Sequence, residues 1–142
     1  MAEDCVNRAI EIGDLDRKPC VTKSLAIHGH REETEALGVR WYYGSDAPLV
    51  DELAMSDNFS GKLHADLPYD LADVVWAARH EMARTVDDVL ARRTRALRLN
   101  ARAAIDCAEL VASTLADELQ RDASWRDKQI EQFHQIASGY LP

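Results

Sequence analysis

The stretch from Tyr69 to Leu99 constrains the fold of this chain most strongly, because its apolar residues repeat with a helical period. One stripe of a helix is formed by residues spaced at i, i+3, i+4, i+7 and i+11, namely Leu71, Val74, Val75, Ala78 and Met82. Asp70 is a suitable N-cap, and Asp73 places negative charge in the first turn, where the helix dipole favours it. A second start follows at Thr85, which forms an approximate capping box with Asp88. The stretch therefore predicts two amphipathic helices with a short junction, followed by an arginine-rich exit.

The first half of the chain predicts shorter elements. Residues 2–12 have a helical pattern that Gly13 can end, and residues 14–30 predict a linker or a lone edge strand, because Pro19 breaks any helix. A short helix is expected over residues 31–37. Another is expected to begin at the N-cap Asp46, with Pro48 in its first turn, and to run to about Met55. Residues 58–68 are expected to form a loop.

The second half predicts two longer helices. Asn100 is expected to cap one helix through about Gln120, with an inward face of Ala104, Cys107, Ala108, Val111, Leu115 and Leu119. Ser124 and Asp127 indicate a last helix, with a core face of Trp125, Ile130, Phe133, Ile136, Ala137 and Tyr140. Together these patterns predict an all-α chain: an orthogonal bundle of about five or six helices preceded by an extended linker segment.

Length and composition are typical of one soluble globular domain. The 142 residues include no apolar run long enough to span a bilayer, and the acidic first residues do not resemble a signal peptide. The three cysteines are Cys5, Cys20 and Cys107. Their odd number and wide spacing indicate free thiols in a reducing compartment, so a cytoplasmic location is expected.

Charge is unevenly distributed along the chain. The net charge of −8 argues against general nucleic-acid binding, because DNA and RNA backbones attract positive charge. Five arginines nevertheless occur in eleven residues without an acidic residue among them: Arg92, Arg93, Arg95, Arg98 and Arg102. Three interpretations remain open for this cluster, which are pairing with the chain's own acids, contact with another domain or partner, and binding of an anion.

Residues with catalytic or metal-binding chemistry have simpler explanations. Three histidines are conceivable metal ligands, but their spacing fixes no convergent geometry and exposed loop positions explain them: His28, His30 and His64. Three acids are conceivable general acids or bases, but roles at helix starts and on a solvated face explain them: Glu81, Asp87 and Asp88. No dinucleotide fingerprint occurs. We therefore predict no catalytic, cofactor-binding or metal-binding residues in this chain.

Aromatic residues point instead to packing surfaces. Trp41, Tyr42 and Tyr43 are typical of core or interface anchors. Trp76 lies off the apolar stripe of its helix, which suggests burial on two sides. The candidate surface for another domain or a partner therefore comprises Trp76, Arg92, Arg93, Arg95 and Arg98.

The block from Ala72 to Arg95, followed by Asn100 and Ala101, resembles the C-terminal domain of FAD-dependent glycerol-3-phosphate dehydrogenases and alpha-glycerophosphate oxidases. Weaker likeness is carried by Met1–Asp4, and by Cys20–Thr22 with Leu25–Gly29, so the resemblance covers about residues 3 to 120. It implies that residues 1–30 are the end of a truncated helix plus a linker from a missing flavin domain. Residues 31–142 would then be the helical C-terminal cap domain.

The resemblance also implies a function for the intact enzyme. Such enzymes oxidise sn-glycerol 3-phosphate to dihydroxyacetone phosphate, pass electrons through FAD to quinone, and lie peripherally on the inner membrane face. Their flavin and substrate sites are in N-terminal domains that this sequence lacks, so no catalytic residue is transferred to it. The resemblance therefore implies a scaffold, inactive alone, whose partners are the missing flavin and substrate domains.

Two further expectations follow from the sequence. The alternative function is a free-standing helical module that uses Arg92–Arg102 on DNA or an acidic partner. A homodimer, or an exposed apolar patch formed by residues 2–12 and nearby aromatic residues, is also expected, because a surface cut from its neighbours leaves apolar area uncovered.

Overall fold

The chain is all-α, as predicted. The computed structural model describes residues 1–32, 35–56 and 58–141, and in this part of the chain regular structure consists of seven α-helices, one 3₁₀-helix and one π-helix. The α-helices are α1 (Ala2–Gly13), α2 (Ala47–Ala54), α3 (Leu71–His80), α4 (Ala96–Leu99), α5 (Ala101–Asp106), α6 (Ala108–Leu119) and α7 (Ala123–Ser138). The 3₁₀-helix is Glu35–Asp46 and the π-helix is Asp88–Arg93. No helix in the described ranges is long and apolar enough to cross a bilayer.

The N-terminal helix α1 stands apart from the hydrophobic core. None of its residues is buried, and Val6 and Ile12 are exposed. The following residues 14–28 are exposed and have no regular structure beyond short turns. Residues 28 and 29 contact the body: the Ser45 N–H donates to the Gly29 carbonyl at 3.1 Å, and His28 Nε2 lies 2.7 Å from Asp46 Oδ2. The helix predicted over residues 2–12 is confirmed as α1, and residues 14–28 do not form the lone edge strand that the sequence left open. The short helix expected over 31–37 lies partly outside the described residues.

Helix α3 occupies the centre of the fold because it serves two hydrophobic clusters. One face supplies Val74, Ala77 and Ala78 to the main core, where residues of the later helices complete the packing: Leu90, Leu97, Ala104, Val111, Leu115 and Phe133. The other face supplies Ala72 and Trp76 to a smaller cluster with Tyr43, Ala47 and Val50. Burial on both sides explains why Trp76 lies off the apolar stripe, as the sequence suggested.

Hydrogen bonds confirm three of the predicted helix-start signals, those at Asp70, Thr85 and Asn100. The Asp73 carboxylate accepts from the Asp70 N–H at 2.9 Å, and Asn100 Oδ1 accepts from the Ala103 N–H at 3.1 Å. Thr85 and Asp88 form a reciprocal capping box, in which the Asp88 N–H donates to Thr85 Oγ1 at 3.1 Å and the Thr85 N–H donates to Asp88 Oδ2 at 3.0 Å. These side chains satisfy N–H groups that have no partner within their helices.

Two predictions about the length of helices are wrong. Met82 was expected in the buried stripe, but α3 ends at His80, and Met82 takes a left-handed backbone (φ 60°) that leaves its side chain 77% exposed. The single helix expected from Asn100 to Gln120 is broken at Cys107, whose ψ of 0° separates α5 from α6. The inward face is nevertheless as predicted, except that Leu119 is only partly buried.

The last helix begins earlier than predicted and presents a different face. Asp122 is the N-cap and accepts from the Trp125 N–H at 2.8 Å. Phe133 and Ala137 are buried as expected, but Ile136 and Tyr140 are 44% and 51% exposed. The third buried residue of α7 is Gln129, whose Oε1 accepts from the Val86 N–H at 3.3 Å. The inward face of α7 is therefore the stripe 129–133–137, and this long-range hydrogen bond satisfies its polar member.

Candidate docking cleft

The π-helix sets the positions of the arginine cluster. Val89 and Leu90 are buried in the main core and hold its apolar side. The Thr94 N–H and hydroxyl both donate to the Val89 carbonyl, at 2.9 and 2.8 Å, and close a wide turn whose donor and acceptor are five positions apart. Arg95 then takes a left-handed conformation (φ 58°) before α4 begins. The continuous amphipathic helix predicted after Thr85 is therefore replaced by a π-turn and a sharp bend, a local form frequently found at functional sites.

A cleft of about 590 Å³ lies where this bend faces the aromatic cluster. One wall carries the three arginines of the Arg92–Arg95 block, with Glu81, Thr94 and Leu99. The other wall is formed by Trp41, Tyr42, Tyr43, Pro68 and Tyr69. The structure therefore brings together two groups that the sequence treated separately, namely the predicted aromatic anchors and the first three arginines of the predicted surface.

The arginines of the cluster differ in their partners. Arg92 forms ion pairs with Asp87 and Asp88, each at 2.9 Å, and Arg93 donates to the Glu81 backbone carbonyl at 2.5 Å. Within the described ranges no carboxylate oxygen lies within 4.0 Å of the guanidinium groups of Arg95 and Arg98. Both of these side chains are exposed. Pairing within the chain thus accounts for Arg92 and engages Arg93, and it leaves Arg95 and Arg98 available to a partner.

A buried polar network supports the aromatic wall. The Tyr43 hydroxyl donates to Asp73 Oδ1 at 2.8 Å, and Asp73 is 2% exposed. Arg40 donates to Asp51 at 2.6 Å and to Asp70 at 2.5 Å, and its Nη2 lies 3.8 Å from Asp73. These contacts join the 3₁₀-helix, α2 and the start of α3, and fix the backbone from which Trp41 and Tyr42 project. Sequence analysis missed Arg40, because its acidic partners are 11 to 33 positions away.

Burial shifts the titration of several of these groups. Burial raises the pKa of Tyr43, and the negative charge of Asp73 raises it further. The pKa of Tyr42 is raised for the same two reasons. Burial likewise raises the pKa of Asp73, although hydrogen bonds from the Asp70 backbone and from Tyr43 oppose the shift. Burial also raises the pKa of Glu81, while nearby Arg93 lowers it. Both tyrosine hydroxyls therefore stay protonated at neutral pH and remain hydrogen-bond donors.

The conceivable metal ligands are dispersed. His28 contacts Asp46, whereas His64 Nε2 lies 3.7 Å from Asp106. Across residues 1–32, 35–56 and 58–141, no three His, Cys, Asp or Glu side chains are grouped so that they could hold a metal ion.

The conceivable acid–base residues have structural partners. Asp88 forms the capping box, and its pKa is lowered: burial raises it, but hydrogen bonds from Arg84, Thr85 and the charge of Arg92 outweigh burial. Asp87 pairs with Arg92. Glu81 is the C-cap of α3 and lines the cleft. Asp88 therefore has the predicted helix-start role, whereas Glu81 lies half-buried at a helix end and not on the solvated face that the sequence predicted.

Trp76 requires a correction. It was included in the candidate surface for another domain, but it is 6% exposed, packed in the smaller core, and stacked on His80 with ring centroids 4.0 Å apart. Its neighbour Tyr43 fills the side that the sequence assigned to a partner. Arg92, Arg93, Arg95 and Arg98 are exposed and remain in the candidate surface.

Comparison with known proteins identifies the chain. The family model described as the C-terminal domain of alpha-glycerophosphate oxidase matches residues 25–126. The chain belongs to this family. The matched residues contain the whole cleft of this family member, whereas α1 precedes them and α7 lies mostly beyond them.

Several curated proteins are similar to this member of the family. The mitochondrial glycerol-3-phosphate dehydrogenase of Schizosaccharomyces pombe is 27% identical over 183 aligned positions, which cover 99% of this chain and 28% of the relative. The corresponding Bos taurus protein is 27% identical, with 92% of this chain and 21% of the relative covered. The probable mitochondrial enzyme of Dictyostelium discoideum is 30% identical, with coverages of 67% and 18%. No solved structure matches the chain.

The chain thus spans between about a fifth and just over a quarter of the length of these relatives. All three are named as glycerol-3-phosphate dehydrogenases, so they give no support to the alternative of a free-standing module that binds DNA or an acidic partner.

Proposed function

We propose that this chain is the C-terminal domain of an FAD-dependent glycerol-3-phosphate dehydrogenase and serves there as a scaffold. In the intact enzyme, sn-glycerol 3-phosphate is oxidised to dihydroxyacetone phosphate, and the electrons pass through FAD to quinone. The catalytic and flavin-binding residues belong to the flavin and substrate domains. The observation that carries this proposal is the family match over residues 25–126 in a chain that aligns with 28% or less of each named relative.

The scaffold docks on those domains with the face that carries Arg92, Arg93, Arg95 and Arg98. Three features support this orientation. The four side chains are exposed, two of them have no described carboxylate within ion-pair distance, and all but Arg98 line the cleft together with the exposed Trp41 and Tyr42. Arg, Trp and Tyr are the residues most enriched at the energetic centres of protein interfaces.

We also propose that the intact enzyme is peripheral on the inner membrane face, with this domain on the cytoplasmic side. The domain boundary proposed for this arrangement separates residues 1–30, which lead from the flavin domain, from the cap at 31–142. The exposure of nearly all of residues 1–30 supports this division, because a linker between domains has few contacts of its own.

A two-polypeptide experiment tests the docking. The flavin and substrate domains of the same enzyme are expressed separately from this chain, and their association is measured by calorimetry. Arg95→Gln with Arg98→Gln should weaken association at least about tenfold, since each lost interface arginine costs about 1 kcal/mol or more. Arg102→Gln, an exposed arginine on α5 outside the cleft, is the matched control. Equal losses in both variants, or an unaffected association, would contradict the proposed face.

A further inference from the structure

The rim of the cleft keeps an unusual amount of apolar surface in water. Trp41 is 65% exposed and Leu99 is 63% exposed, on opposite walls. Sites for free small molecules bury about 70–90% of the ligand surface. The rim of this cleft is too open to enclose a small ligand to that extent. A combination of exposed Trp, Tyr and Arg is instead typical of the centre of a protein interface.

The charge inside the cleft selects the kind of segment that can bind. Arg92 is paired with Asp87 and Asp88, and Arg93 is engaged with Glu81. The third arginine of the cleft is Arg95. Burial raises the pKa of the neighbouring Tyr69, and the positive charge of Arg95 partly lowers it. Because the whole chain carries a net charge of −8, an acidic partner is repelled by most of its surface and attracted here.

We propose that the cleft binds a peptide segment in which an Asp or Glu side chain pairs with Arg95 and a neighbouring aromatic or aliphatic side chain packs against Trp41 and Leu99. This inference rests on the proposed function, because the segment belongs to the part of the enzyme outside this chain. The Thr94 hydrogen bonds to Val89 hold the bend that presents Arg95 to the aromatic wall. A lipid surface is a poorer occupant, since a concave cleft of about 590 Å³ meets a flat bilayer only at its rim.

Short peptides provide a direct probe. The ¹⁵N-labelled chain is titrated with N-acetyl-Asp-Phe-amide, while the Trp41 indole N–H and the Arg95 Nε–H are followed by NMR. Both signals should shift with a common saturation curve. N-acetyl-Asn-Phe-amide and N-acetyl-Asp-Ala-amide each lack one half of the proposed pair, and each should bind about two- to fivefold more weakly.

Variants identify which arginine is responsible. Arg95→Gln should weaken the acidic aromatic peptide by about two- to fivefold and remove its preference over the Asn peptide. Arg102→Gln keeps the cleft intact, removes the same charge, and should leave the affinity unchanged. Equal weakening in the two variants would reduce the effect to general electrostatic attraction and overturn the proposal.

Other occupants are separate outcomes of the same experiment. Displacement of the peptide by inorganic phosphate alone, with the same affinity, would overturn the proposal in favour of a small-anion site. Shifts of Trp41 with vesicles of phosphatidylglycerol and phosphatidylcholine, but not with the peptide, would assign the face to a membrane. If the peptide fails to bind while the separately expressed domains still associate through Arg95 and Arg98, this inference falls and the proposed function stands.

Discussion

Replacing Tyr43 by Phe tests whether the buried network holds the aromatic wall in place. The substitution keeps the ring packed beside Trp76 and removes only the hydroxyl that donates to Asp73 Oδ1 at 2.8 Å. Hydrogen bonds to charged groups contribute about 1.5–3 kcal/mol, and loss of the donor leaves a carboxylate that is 2% exposed with one partner fewer. Asp73 keeps its bond from the Asp70 N–H at 2.9 Å, so the loss should stay near the lower end, at about 2 kcal/mol.

The assay is equilibrium unfolding in urea at neutral pH, with a thermal scan beside it. A loss of about 2 kcal/mol corresponds to a melting temperature lower by about 4–8 °C in a chain of this size. Tyr42→Phe is the matched control, because the Tyr42 hydroxyl lies 3.5 Å from the same oxygen and its side chain is 42% exposed. Water can replace that contact, so the control should lose no more than about 0.5 kcal/mol. Equal free energies of unfolding in the two variants would refute the role assigned to the network.

Three further predictions concern titration, thiol reactivity and association. Burial raises the pKa of Glu81 above its ordinary 4.5, so the stability that this carboxyl contributes is complete below pH 4.5 and is lost as pH rises through the raised pKa. Glu81→Gln should therefore reduce the fall in unfolding free energy over this pH range. An unchanged slope in the variant would contradict the prediction. Cys5 and Cys20 are exposed, whereas Cys107 is buried and burial raises its pKa to about 11. Ellman's reagent should therefore modify two thiols quickly and the third only when the protein unfolds. Quick modification of all three thiols would contradict the buried position of Cys107. Light scattering should detect concentration-dependent self-association that Val6→Ser with Ile12→Ser reduces, because α1 leaves these side chains uncovered; a monomer at every concentration would exclude this route to a dimer.

The features that sequence predicted well are local. The capping box of Thr85 and Asp88 and the Asn100 cap depend on residues three positions apart, and the structure contains their hydrogen bonds. The apolar stripe of α3 also depends on spacing alone, and its prediction fails only at Met82, where the chain has already left the helix.

The features that sequence missed depend on contacts between distant residues. Gln129 is buried where its amide oxygen accepts from the Val86 N–H, 43 positions away, while Ile136 lies outside the core. The π-helix depends on Thr94 bonding back to Val89 above a buried apolar side, which no periodicity indicates. The cleft likewise requires residues near position 42 to face residues near position 94. The sequence predicted each of these two groups, but it did not predict that they face each other.

We propose that this chain supplies structure to a redox enzyme whose reactive centre lies in other domains. The most direct measurement is the flavin absorbance and the glycerol 3-phosphate oxidation of the purified chain after incubation with FAD and gel filtration, with a quinone analogue as electron acceptor. We predict neither bound flavin nor turnover from the chain alone, and both when the separately expressed flavin and substrate domains are added. Stoichiometric flavin on the isolated chain, or oxidation of glycerol 3-phosphate by it, would contradict the account.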